Sequence, residues 1–155
     1  MLQHLCKLVT GALVVSVALW AADPLLGTWK LNLEKSNYGT QPAPKSSTTT
    51  WAAQKGGMFK YTADGIGANG QPVHTEWSGK FDGKQYPMTG QPRIDTAAIK
   101  RIDARTTEAT GRKAGKTVLT VKSVVSKDGK TSTASWSATD DQGQAQTWTT
   151  VVDRQ

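Results

Sequence analysis

From residue 23 onward, apolar and polar residues alternate with a period of two. Over residues 28–33, Trp29, Leu31 and Leu33 fall on one face and Thr28, Lys30 and Asn32 on the other. Residues 73–81 repeat the pattern, with Val73, Thr75, Trp77, Gly79 and Phe81 against His74, Glu76, Ser78 and Lys80. Such alternation marks a strand with one buried and one wet face. The same reading places strands at 46–53, 58–63, 84–88, 97–102, 105–110, 117–126, 130–139 and 145–152, ten in all. Thr, Val and Trp dominate them, and branched or aromatic side chains suit a pleated surface.

The punctuation between these runs is that of reversals. Asp128-Gly129 predicts a two-residue type I′ hairpin, with positive φ at both central positions, and Asp82-Gly83 repeats the signal. Gly56-Gly57, Asn69-Gly70 and Ala114-Gly115 mark other reversals. Residues 33–37 suit a single helical turn, and 38–45 and 89–96 are Pro-containing loops. Ten sequential antiparallel strands must manage two open edges, and closing the sheet on itself removes them. The expected fold is all-β: an antiparallel up-and-down barrel of eight to ten strands, wide enough for one small ligand. A two-sheet sandwich is the alternative.

Residues 1–22 break the pattern. A short start ending at Lys7 is followed by an almost wholly apolar run, LVTGALVVSVALW, and then by Ala21 and Ala22. This is the layout of a secretory signal peptide, too short to span a bilayer. The chain therefore divides into a leader over 1–22 and one domain over 23–155, exported to the periplasm or the exterior of a bacterium, with no transmembrane segment after processing. Cys6 is the only cysteine and leaves with the leader, so the mature domain carries no disulfide.

Composition adds two exclusions. Hydrophobic residues make up 37% and charged residues 20%, lean for a globular domain, but five of the six Trp lie beyond residue 22 and can seed a core, which sets the chain apart from a disordered one. Two histidines exclude a His-rich metal cluster. The net charge of +7 attracts anions nonspecifically. Export and the lack of a recognised binding motif argue against nucleic acid.

The segment Gly27-Thr28-Trp29-Lys30-Leu31, opening the first strand, resembles the calycin superfamily of lipocalins and fatty-acid-binding proteins, whose barrels begin with Gly-x-Trp. More narrowly, DPLLGTWKLNLEKSNY, YPMTG, KRIDARTTEAT and VVSKDGKT are similar to small exported bacterial lipocalin-like proteins of undefined function. The resemblance implies that Trp29 packs at the closed end of the barrel beneath a late arginine, matched in order by Arg154. Three features depart from it. Residues 34–45 carry Pro42 and Pro44 and leave no room for the two helices of fatty-acid-binding proteins. No lipocalin-type helix follows Val152. No Arg-x-Tyr pair stands near residues 147–154. The resemblance thus implies the fold and not a fatty-acid function.

Trp51, Trp77, Trp136 and Trp148 fall near the middle of separate strands. They fill the core, line a cavity against a ligand, or form an exposed row for sugars or unstacked bases. Lys100, Arg101, Arg105, Arg112, Lys113 and Lys116 form the densest basic stretch, either a solvated face or an anion site. Arg101, alternating with Ile99, is the best single inward anchor, although the facing of that strand is not fixed by sequence. His74 belongs to the wet face with Glu76 and Ser78, and Asp64, Asp140 and Asp141 fall in turns. No nucleophile elbow, Ser/His/Asp set or metal-ligand spacing stands out, and no cofactor is expected. The expectation is an exported, non-enzymatic protein that binds a small apolar or amphipathic molecule through Trp51, Trp77, Arg101, Trp136 and Trp148. The alternative is a surface module for polysaccharide or another anionic envelope component, using exposed Trp and basic residues.

Overall fold

The computed structural model of the protein describes residues 22–155, Asp141 excepted; the leader expected over 1–22 lies outside them but for Ala22. Ten strands follow in order: β1 Gly27–Asn37, β2 Ser46–Ala53, β3 Phe59–Ile66, β4 Pro72–Gly79, β5 Asp82–Thr89, β6 Thr96–Arg101, β7 Thr106–Lys113, β8 Lys116–Val125, β9 Thr131–Thr139 and β10 Ala145–Arg154. Each pairs antiparallel with its sequence neighbours, and β1 pairs with β10, so the sheet closes into a barrel. No edge strand remains, which settles the choice between barrel and sandwich. The expected strands recur with ends shifted by a few residues. The β1–β2 connection is a loop over residues 38–45, as its prolines require.

Several local expectations are corrected. Residues 33–37 are not a helical turn but a bulge inside β1, where the register with β10 slips between Asn32 and Asn37. Ser36 Oγ donates to the Asn32 carbonyl at 2.6 Å and accepts from the Val151 N–H at 2.9 Å. That local bonding resembles a helical turn, but it turns Leu33 outward, so Leu33 does not share the buried face of Trp29. Asp128-Gly129 is not a two-residue type I′ turn. Only Gly129 has positive φ, and the Ser126 N–H bonds to Thr131 across a four-residue loop. The tight hairpin is Ala114-Gly115, both with positive φ, between the paired Lys113 and Lys116.

Asp82-Gly83 lies within β5, at a register slip against β6. The reversal before it passes through Lys80 and Phe81. The β4–β5 seam is short, with Glu76 opposite Thr89 and Trp77 opposite Met88. Below those pairs the Tyr86 ring packs over Gly79, where a side chain would clash with it, and stands edge-on to Trp77 at 5.9 Å. Aromatic packing thus takes over from backbone pairing.

Two buried clusters fill the closed end. Leu25, Trp29 and Val125 form one, with Trp51, Phe81 and Val152 packed against it. Trp77, Ala97 and Ile99 form the other, with Phe59, Tyr61, Phe81 and Tyr86 around them. Phe59 and Phe81 stack at 4.0 Å. Burying large aromatic and aliphatic side chains contributes roughly 2–3 kcal/mol each, so a lean domain draws much of its stability from these rings.

Candidate functional site

The Gly-x-Trp start has a physical reason. Gly27 has φ +119°, a conformation that side chains disfavour, and a Cβ there would meet the Arg154 guanidinium. Trp29 lies opposite Arg154 in the β1–β10 register. Its Nε1–H donates to the Leu25 carbonyl at 2.9 Å, and the Arg154 guanidinium carbon stands 4.1 Å from the ring centre. Arg154 also donates to the carbonyls of Gly129, Leu26 and Pro24. This group fastens the segment before β1 across the barrel's end.

Arg101 is part of the same closure and does not line the cavity. It makes a two-pronged pair with Asp23, at 2.7 and 3.2 Å, donates to the Ala104 carbonyl at 3.2 Å, and lies 4.6 Å above the Phe81 ring. The anchor expected at Arg101 is therefore corrected, because its fork holds Asp23 at the end of β6. Trp77 is corrected as well. It is 1% exposed, donates to the Ala97 carbonyl at 3.0 Å, and is sealed among rings behind the cavity wall.

Between these clusters and the mouth lies a cavity of about 450 Å³. Trp51, Trp136 and Trp148 line it, with Met88, Ile99, Val121 and Leu119. Trp136 and Trp148 face each other across β9–β10 and stack at 5.6 Å with nearly parallel planes. Tyr61 stands 4.8 Å from Trp51 and also lines the cavity. Burial pushes its phenol up to about 12, against a smaller opposing pull from its hydrogen bond with Thr49. The phenol is neutral at physiological pH and able to hydrogen-bond.

The charged residue on the cavity lining is Arg93, inside the Pro-containing segment 89–96. That loop joins β5 to β6, and Arg93 reaches from it to the Thr139 carbonyl at the end of β9, at 3.1 Å. Gln41 and Gln91 share the lining, and Gln91 donates to Thr75 at 3.2 Å. The signal for Arg93 was faint, since loop side chains carry no periodicity from which to read a direction.

The outside of the barrel offers less. A shallow depression of about 680 Å³ crosses β7–β10, where Glu108, Lys122, Ser135 and Thr149 alternate away from the inward tryptophans. Its lining is more polar than that of the interior cavity, which is mostly apolar, as ligand sites are. His74 lies on the outer wall, 2.6 Å from Asp64 and 3.3 Å from Glu76. Its hydrogen bond with Asp64, then that with Glu76, raises its pKa. Asp64 is within β3, not in a turn, whereas Asp140 caps its turn by accepting from the Gln142 and Gln144 N–H groups.

No protein-family model and no curated protein sequence matches this chain. Solved structures do. The chain is similar to wild-type fluorescent protein UnaG, with a TM-score of 0.59 at 13% identity, over 84% of this chain and 97% of that one. The fold is a calycin-like barrel. It is also similar to zebrafish ileal bile acid-binding protein complexed with cholic acid, with a TM-score of 0.52 at 15% identity, over 85% of this chain and 99% of that one. At such identities the likeness concerns architecture, and what this barrel holds has to be argued from its own lining.

Proposed function

We propose that the protein is an exported carrier, of the small bacterial lipocalin-like kind, that binds one small, largely apolar, amphipathic molecule inside its barrel without turning it over. The mostly apolar interior cavity of about 450 Å³ carries this reading. Trp51, Trp136 and Trp148 offer broad apolar surface to the ligand's body. The positive charge of Arg93 at the mouth suits an acidic or strongly polar head, the part first expected of Arg101. A guanidinium carries five donors, so an acid joins the partners Arg93 already has. The leader pattern of residues 1–22 supports export. The zebrafish protein's complex with cholic acid is one instance of an amphipathic acid in such a barrel.

The surface-module reading calls for exposed, coplanar tryptophans. Trp51, Trp136 and Trp148 face the cavity instead, and Trp77 is buried. Exposure of the purified protein to a mixed lipid extract, followed by native mass spectrometry, is the test. A retained species of discrete mass is expected. Ala134→Leu, which grows into the cavity, should reduce retention at least about tenfold with a stability change of less than about 2 kcal/mol. Absence of any retained molecule, or retention unaffected by Ala134→Leu, counts against an interior site.

A further inference from the structure

Resting on the interior-binding reading, we propose that the ligand is polar at its inner end as well as its outer one, and that hydroxyls grouped around Ala134 receive an uncharged oxygen group there. The strand register builds this patch. Ala134 lies opposite Ser123 of β8 on one side and Thr150 of β10 on the other. Ser132 precedes it by two residues on the same inward face, and Thr107 of β7 lies opposite Ser123. All five line the cavity. The smallest side chain is at the centre and hydroxyls stand round it, whereas the other hydroxyls of the lining are engaged elsewhere, Tyr61 with Thr49 and Thr75 with Gln91.

These are deep positions. Thr107, Ser132 and Thr150 are 8%, 7% and 8% exposed. Thr150 accepts from Trp136 Nε1–H at 2.8 Å, and its own O–H remains a donor. Among the described residues no buried side-chain oxygen or nitrogen is sealed off without a partner. Thr107, Ser123 and Ser132 bond to no other side chain there, so their hydroxyls open onto the cavity. A hydroxyl facing an apolar space gains from any oxygen brought to it, and one left dry costs free energy.

The group received is uncharged. The charged residue on the cavity lining, Arg93, is at the opposite end, and an ionised group among neutral hydroxyls would have no counter-charge. From Thr139, where Arg93 is bonded, β9 runs seven residues inward to Ser132. At the usual rise and barrel tilt that is roughly 18 Å along the axis. The class indicated is an elongated molecule with an acidic head, an apolar middle and a hydroxyl or carbonyl at its far end.

Calorimetric titration of the purified protein with dodecanoic acid and with 12-hydroxydodecanoic acid tests this. The hydroxy acid should bind about tenfold more tightly. Ser123→Ala combined with Ser132→Ala should erase the preference, so that the two acids bind within about twofold of each other. Circular dichroism establishes that the variant is folded, and Thr107→Val serves as an independent second variant. Equal or tighter binding of dodecanoic acid to the unaltered protein overturns the proposal, as does a preference that survives the double substitution. Those two results leave the carrier reading standing. Uptake of neither acid, with no lipid retained in native spectra, removes the carrier reading and the patch's role together.

Discussion

At the closed end, Arg154 and Arg101 each lie over an aromatic ring and tie the chain to itself, through the carbonyls of Pro24, Leu26 and Gly129 and through Asp23. At the mouth, Arg93 reaches to the Thr139 carbonyl along the rim of the cavity. Tryptophan divides in the same way. Trp29 and Trp77 are sealed, each with its N–H given to a backbone carbonyl, while Trp136 and Trp148 stack flat on each other and face the cavity. The same residue types thus act as structure at one end and as lining at the other. What separates them is whether neighbouring rings and backbone have filled the space around them.

Substitutions should part the two ends. Trp29→Ala removes the ring that Leu25, Val125 and Arg154 enclose, and should cost about 3–5 kcal/mol in urea unfolding. A loss below about 1 kcal/mol would make the closed end far more yielding than its burial implies. Arg101→Gln should cost about 1–3 kcal/mol through the lost pair with Asp23 and the lost contact with Phe81, and leave ligand affinity unaltered. Arg93→Gln should do the reverse. Stability should change by less than about 1 kcal/mol, and dodecanoic acid should bind about tenfold more weakly while dodecanol is unaffected. Matching effects of the two arginine variants on binding would erase the difference between the two ends.

Tyr61, between filled and empty space, gives the subtlest test. Its phenol is raised from 10 to about 12, so its contribution to stability is whole below pH 10 and disappears as pH climbs through about 12. Phenolate absorbance should show a late phase near pH 12 that Tyr61→Phe abolishes. Complete titration near pH 10 would mean that water reaches this wall freely.

The strands were legible because one face of each is wet, and a period of two needs no tertiary knowledge. Turn geometry was less so. Asp128-Gly129 has the favoured residues but a longer loop, while Ala114 accepts positive φ because Lys113 and Lys116 are already paired. The closed end could be anticipated from Gly27 and Trp29, whose chemistry is local. The cavity's polar groups could not be. Arg93 is in a loop with no period, Arg101 shares a strand whose facing was ambiguous, and Ser123, Ser132 and Thr150 look like ordinary strand residues until the register sets them around Ala134.

The β1–β10 seam has a kinetic consequence. Every other seam joins strands consecutive in the chain and costs little entropy to form, whereas this one brings Trp29 to Arg154 from opposite ends of the described chain. Barrel closure is therefore expected late in folding. Weakening that clasp should hasten unfolding much more than it slows refolding.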